Sequence, residues 1–155
     1  MTDFASCLSY GNPVMESYPR QCRDGNGTLY VEDNGVSDLI HVTTTFKDGK
    51  VKSPVNVVGE ARGTWFFEAS FPVTFQDEKG KVLAHSIATT TADWMTENFI
   101  PFKTSAKFTV STDTPGFIIL KRDNPSGNTA FDRELRIPVV FIPTRDSDII
   151  NTVSQ

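Results

Sequence analysis

Cysteine is scarce in this 155-residue chain: Cys7 and Cys22 are the only two. They lack the Cys-x-x-Cys spacing of a thioredoxin-like redox site, and no nearby cysteine or histidine completes a zinc pattern. Histidine is equally scarce, with His41 and His85 isolated from each other and from the cysteines. No apolar run of eighteen residues occurs, which excludes a membrane-spanning helix. An excess of basic residues is missing too. Lys and Arg number 15 against 19 Asp and Glu, for a net charge of −4 and a pI near 5.1, so nothing points to phosphate backbones or anionic membranes. Gly-x-Ser-x-Gly, Walker and His-Glu-x-x-His motifs are absent. Met1-Thr2-Asp3 is not the basic start of a secretory signal, so an exported form would have had its signal or anchor removed.

What the chain does have is phenylalanine, twelve of them, with frequent Thr and Val. That bias favours strands. In residues 65–75 every odd position is apolar (Trp65, Phe67, Ala69, Phe71, Val73, Phe75), which predicts one strand with a buried face. Pro72 falls on the opposite face and predicts an edge or a bulge. Gln76 to Gly80 reads as a hairpin loop with Gly80 at positive φ. Further strands are predicted over 55–59, 82–89, 99–110, 117–120 and 135–141, the last another edge because of Pro138. Residues 38–46 offer one more. This spacing of strands and turns is that of an antiparallel sandwich. No segment shows a helical stripe; 93–98 has room for one turn at most.

The organisation expected is a loop-rich N-terminal extension (1–50), a sandwich (51–143) and a polar tail or linker (144–155). The extension is rich in Gly, Asn, Asp and Pro and has little to bury. Fourteen residues separate Cys7 from Cys22. A disulfide closing such a loop contributes roughly 3 kcal/mol in the chain-entropy model. With no metal partners at hand, a disulfide is the expectation; two free thiols and a metal site are the alternatives. A disulfide points outside the reducing cytosol.

The stretches Ser53-Pro54, Val58-Gly59, Ala61-Arg62-Gly63 and Trp65 to Val73 resemble the immunoglobulin-like domain of bacterial spore germination. So do Gly80 to Ala84, Asp93 to Thr96, Pro101-Phe102, Asp123 to Gly127 and Ile137 to Val139. The resemblance implies an all-β fold, an immunoglobulin-like antiparallel β-sandwich, and a place among bacterial envelope proteins and lipoproteins. It carries no catalytic residues. The segment from Cys7 to Cys22 is similar to short cysteine-stapled motifs near the anchors of envelope proteins, which also implies an extracytoplasmic location.

Few residues suggest chemistry. Asp24 to Thr28 starts like a calcium loop but has Leu29 and Gly35 where Gly and Glu are needed. The acid pairs Asp77–Glu78, Asp93–Glu97 and Asp132–Glu134 fall at turns and strand ends, where acids serve solvation and capping. Glu68 is expected to face outward beside a cation, or to be a buried acid with a partner. His85 reads as a sheet-surface residue, Trp65 as core and Asn26-Gly27-Thr28 as a chance sequon. The candidate binding surface is Trp94, Met95, Asn124 and Ser126: Trp94 either plugs one end of the sandwich or forms an exposed platform, and residues 124–127 build a turn. No catalytic residue, cofactor or metal is expected. The function expected is a non-enzymatic envelope module that binds a cell-wall polymer or an envelope protein. The alternatives are a protease inhibitor presenting the 7–22 loop, with Val14 to Tyr18 extended, and a hydrolase.

Overall fold

The structure is a computed structural model that describes residues 3–15, 20–32, 35–123 and 133–144. In chain order its elements are α1 (Phe4–Ser9), β1 (Val14–Met15), β2 (Gln21–Arg23), β3 (Leu29–Val31), β4 (Ile40–Val42), β5 (Lys50–Val51), β6 (Val55–Arg62), β7 (Ser70–Asp77), β8 (Val82–Thr89), β9 (Phe99–Ala106), β10 (Thr114–Lys121) and β11 (Glu134–Phe141). The period-two pattern does what it should. β6 buries Val55, Val57, Gly59 and Ala61 and exposes Asn56, Val58 and Glu60 between them. β9 buries Ile100, Phe102, Thr104 and Ala106 in the same way.

Eight strands pair in the order β4-β6-β9-β8-β7-β10-β11-β5. The order folds into two layers because β8 and β9 meet at a single pair, Thr89 with Lys103. Beside that seam the buried Thr104 hydroxyl hydrogen-bonds Ser86 Oγ at 2.7 Å and the Ile87 carbonyl at 3.1 Å. The inner faces then pack on each other. Phe102 meets Phe71 edge-on at 5.1 Å, and Phe71 also receives Phe66 at 5.1 Å and Trp65 at 6.5 Å. Val73, Phe75, Ile118, Leu120, Val139 and Phe141 complete the core. Edge-to-face rings add to the area they bury. The protein is an immunoglobulin-like all-β sandwich.

The long strands expected between residues 54 and 143 are all present, though the one expected over 99–110 ends at Ala106, and three further points of the sequence reading are corrected. First, residues 65–75 are not one strand. Glu68 (φ 50°) and Ala69 (φ 64°) both occupy the left-handed region, and Phe67 and Ser70 close the turn with paired backbone hydrogen bonds. That turn resets the phase: Trp65 and Phe66 are buried, Phe67 is 40% exposed, and the strand proper begins at Ser70. Second, β7 lies between β8 and β10, so Pro72 does not mark an edge strand. Its missing donor is tolerated because the β10 ladder stops at Val73, and the bulge lies further on, between Phe75 and Gln76. Pro138 does sit on an edge, since β11 gains an outer partner only at Val140 and Phe141, from β5. Third, a short helix exists. Asp3 caps α1 through a capping box with Ser6, accepting from its N–H at 2.8 Å.

Residues ahead of 51 also join the sandwich. Val36 and Ile40 belong to its core, and Leu39, Val42 and Phe46 pack against it. β4 crosses close to β6 only because residue 59 is Gly; a Cβ there would strike the His41 carbonyl and the Phe102 ring.

The N-terminal segment forms its own small sheet, β1-β2-β3. Cys7 and Cys22 are joined by a disulfide, with Cα atoms 6.1 Å apart, and both are fully buried. Phe4 is buried with them, and Val14 and Tyr30 pack against the group. The core is small, so the covalent bond carries much of the unit. β3 lies beside β11, and Arg23 reaches Glu78 at 3.7 Å across to the β7–β8 loop.

Candidate functional site

One end of the sandwich is built from the 63–70 turns and the 90–98 loop. Side chains and backbone amides of the loop cap each other: Asp93 Oδ1 accepts from the Met95 N–H at 3.0 Å, Thr90 Oγ1 from Ala92 at 3.1 Å, and Thr96 Oγ1 from Asn98 at 3.1 Å. The loop is then fastened to its neighbours. Thr90 N–H donates to the Ala69 carbonyl, Gly63 N–H to that of Asn98, and Arg62 donates to the Glu97 carbonyl at 3.0 Å. Gly63 has no room for a side chain, because a Cβ would collide with the Trp94 and Thr96 carbonyls.

This scaffold presents three apolar side chains. Trp94 is half-buried, its inner side against the core. Phe67 meets it edge-on at 6.0 Å. Met95 is 77% exposed. Trp94 thus packs on the core with one side and stays partly accessible beside Phe67 with the other. Phe67 was not legible as part of this surface, since the period placed it inward. The left-handed pair that turns it out is Glu68-Ala69, which carries no turn signature. Asn124 and Ser126, the other members of the expected surface, lie outside the described residues.

The remaining candidates do not converge. Asp24 Oδ1 accepts from the N–H groups of Asn26 and Thr28, both at 2.9 Å, while Gly27 takes φ 84°. Asp77 Oδ1 does the same for Lys79 at 2.9 Å and Lys81 at 2.8 Å, with Gly80 at φ 90°. The two carboxylates close twin three-residue hairpins with a left-handed glycine. The Asp24 segment is thus a hairpin tip rather than a calcium loop. Tyr30 donates to Asp24 Oδ2 at 3.3 Å, and burial beside that carboxylate raises the phenol above its ordinary range. His85 lies exposed with Nδ1 3.3 Å from Thr74 Oγ1. His41 stacks on Phe99 at 4.7 Å and contacts Glu60 and the Ser37 carbonyl. Trp65 is core, as expected. Glu68 is at a turn tip and has no cationic partner among the described residues. Asp132 and the part of the 7–22 loop from Glu16 to Pro19 lie outside the described residues. No group of three or more His, Cys, Asp or Glu able to hold a metal occurs among the described residues.

A groove of about 370 Å³ runs beside α1, lined by Phe4, Ala5, Leu8, Val31, Arg20 and Glu32. Its charged wall is closed on itself. Arg20 grips Glu32 through two nitrogens, at 2.8 and 3.2 Å, and these hydrogen bonds hold the Glu32 carboxyl below the usual range. No helix is long and apolar enough to cross a membrane among the described residues.

The class defined by this architecture is an immunoglobulin-like domain with one presented loop end. More closely, the family model of the immunoglobulin-like domain of bacterial spore germination matches residues 39–129, and the chain belongs to that family. The match begins ahead of the Val51 start expected from the sequence and takes in β4. No curated protein and no solved structure matches the chain.

Proposed function

We propose that the chain is a non-catalytic, extracytoplasmic binding or assembly module of the bacterial cell envelope. It would contact a cell-wall polymer or another envelope protein. The sandwich supplies the scaffold, the N-terminal segment is a disulfide-stapled unit carried on it, and the end formed by Phe67, Trp94 and Met95 makes the contact. The observation that carries this reading is that end itself. Three large apolar side chains sit on loops fastened by several backbone and side-chain hydrogen bonds. Such a surface loses little conformational freedom on binding. Loops positioned by a rigid sandwich are a common place for recognition. The disulfide supports a location outside the reducing cytosol, and family membership supports a binding rather than a catalytic role.

The test compares the chain with a Met95→Asp variant for retention on a bacterial envelope preparation that contains both peptidoglycan and envelope proteins. Met95 is exposed enough that the change leaves folding intact. Retention lost in the variant supports the proposal. Equal retention of both proteins contradicts the assigned surface. Robust turnover in a hydrolase screen, abolished by one acid or histidine substitution, contradicts the non-catalytic role.

A further inference from the structure

The loop end carries a charge pattern as well as an apolar one. Glu68 directly follows Phe67, Asp93 directly precedes Trp94, and Glu97 follows Met95 by two positions. All three acids are exposed. None of their carboxylates has a cationic partner among the described residues. Two arginines lie at this end, and their hydrogen bonds go to backbone carbonyls rather than to these carboxylates. Arg62 donates to the carbonyls of Asp38 and Glu97 and lies over the Phe99 ring at 4.4 Å, and Arg122 donates to the Thr64 carbonyl. The result is an aromatic and thioether centre with three exposed carboxylates near it in sequence, none of them in an ion pair among the described residues.

The backbone gives this end an unusual feature. Glu68 and Ala69 are consecutive non-glycine residues in the left-handed region, and Gly would relieve both. Strain of this kind concentrates where the surrounding structure needs a particular presentation. Its effect here is plain: the pair turns Phe67 outward and sets Glu68 at the tip beside it.

Resting on the binding-module reading above, we infer that the partner of this end is a protein segment that alternates lysine or arginine with apolar side chains. The argument is complementarity. Aromatic faces attract cations through the ring quadrupole, and flanking carboxylates reinforce the same preference. Apolar side chains of the partner meet Met95 and Phe67 while its cations reach Glu68, Asp93 and Glu97. A neutral glycan stacks on the aromatic rings and donates hydroxyls to the acids, but it gains nothing from their net charge, so its binding is insensitive to salt. An anionic polymer is repelled by them.

The experiment uses the whole chain labelled with nitrogen-15 and three capped pentapeptides: lysine alternating with leucine, serine alternating with leucine, and glutamate alternating with leucine. Amide shifts are followed during titration at low and high salt. The inference expects the lysine peptide to shift residues 67–69 and 93–97. It also expects affinity at least about fivefold above the serine peptide and weakened by salt. The double variant Glu68→Asn, Asp93→Asn should abolish the lysine preference. Asn tolerates left-handed φ and keeps the Oδ1 acceptor for Met95, so the fold is preserved.

Equal affinity for the lysine and serine peptides, or shifts confined to other surfaces, overturns the inference. Displacement of the chain from an envelope preparation by soluble glycan fragments but not by the lysine peptide also overturns it, and leaves the binding-module reading standing. If Met95→Asp changes neither envelope retention nor any peptide titration, that reading fails as well.

Discussion

Removing the disulfide should loosen one part of the molecule and spare the other. Cys7 and Cys22 are 15 residues apart in sequence, and a cross-link of that length contributes roughly 3 kcal/mol in the chain-entropy model. Pro13 and Pro19 lie within the loop and already restrict the unfolded chain, so the gain falls somewhat below that figure. The other supports of the N-terminal unit are of similar size or smaller. Burying Phe4 contributes about 1.5–3 kcal/mol. The Arg23–Glu78 pair is exposed and spans 3.7 Å, so it contributes about 0–1 kcal/mol. Replacing both cysteines with serine also leaves two hydroxyls in a fully buried site. The unit should therefore open on its own. The sandwich should hold, because its aromatic core shares none of those contacts. Hydrogen exchange on the Cys7→Ser, Cys22→Ser protein is the assay. The expected result is loss of protection across β2 and β3, with β6, β7, β9 and β10 still protected. Uniform loss through both units, or unchanged protection in β2 and β3, would refute this reasoning. Free reaction of both thiols with an alkylating agent in folded, unreduced protein would refute the disulfide itself.

Three further predictions concern the scaffold. Gly63→Ala forces a Cβ against the Trp94 and Thr96 carbonyls and should cost about 1–3 kcal/mol in urea unfolding, because backbone must move; an unchanged midpoint would show that the 90–98 loop is not seated as described. Asp77→Ala should cost about 0.5–1.5 kcal/mol by handing the exposed Lys79 and Lys81 amides to water, whereas Asp77→Asn should recover most of it; equal losses from the two changes would discount the hairpin bonds. The Glu32 carboxyl is held below its ordinary value of 4.5 mainly by the Arg20 hydrogen bond. Its contribution is complete above that value and is lost as the pH falls through the lowered folded one, so acidification should loosen the N-terminal unit. A Glu32→Gln protein that loosens over the same acid range as the parent would exclude Glu32 as the cause.

Much of the fold was legible because β6, β7 and β9 obey period two with one face buried, while β10 shows as a short apolar run. Val55 to Gly59 announce β6, which runs on to Arg62, and Leu135 to Phe141 announce β11. Where the reading failed, the cause was tertiary. Trp65, Phe67 and Ala69 extend the alternation of Phe71 to Phe75 by coincidence, and the break between them rests on two residues with no turn signature. Pro72 is accommodated because a neighbouring ladder ends one residue early, which no local pattern records. α1 has six residues and a capping box but too short a face to show a stripe. The small β1-β2-β3 sheet depends on a covalent bond, which the cysteines suggested, and on pairings only two or three residues long. At the candidate site, Trp94 and Met95 stood out as large apolar residues in an inter-strand connection. Phe67 did not, because its exposure depends on the turn that follows it.

Placement of a photo-reactive amino acid at single positions tests the central claim most directly. Positions 95, 87 and 15 serve: Met95 is on the proposed contact, Ile87 is 57% exposed on β8, and Met15 is 42% exposed in the stapled loop. Each protein is irradiated in an envelope preparation and its adducts are separated by mass. A discrete adduct at 95, absent or much weaker at 87 and 15, is the predicted result. A discrete adduct at 87 or 15 with none at 95 would contradict the assignment of the Phe67–Trp94–Met95 end as the working surface of this domain.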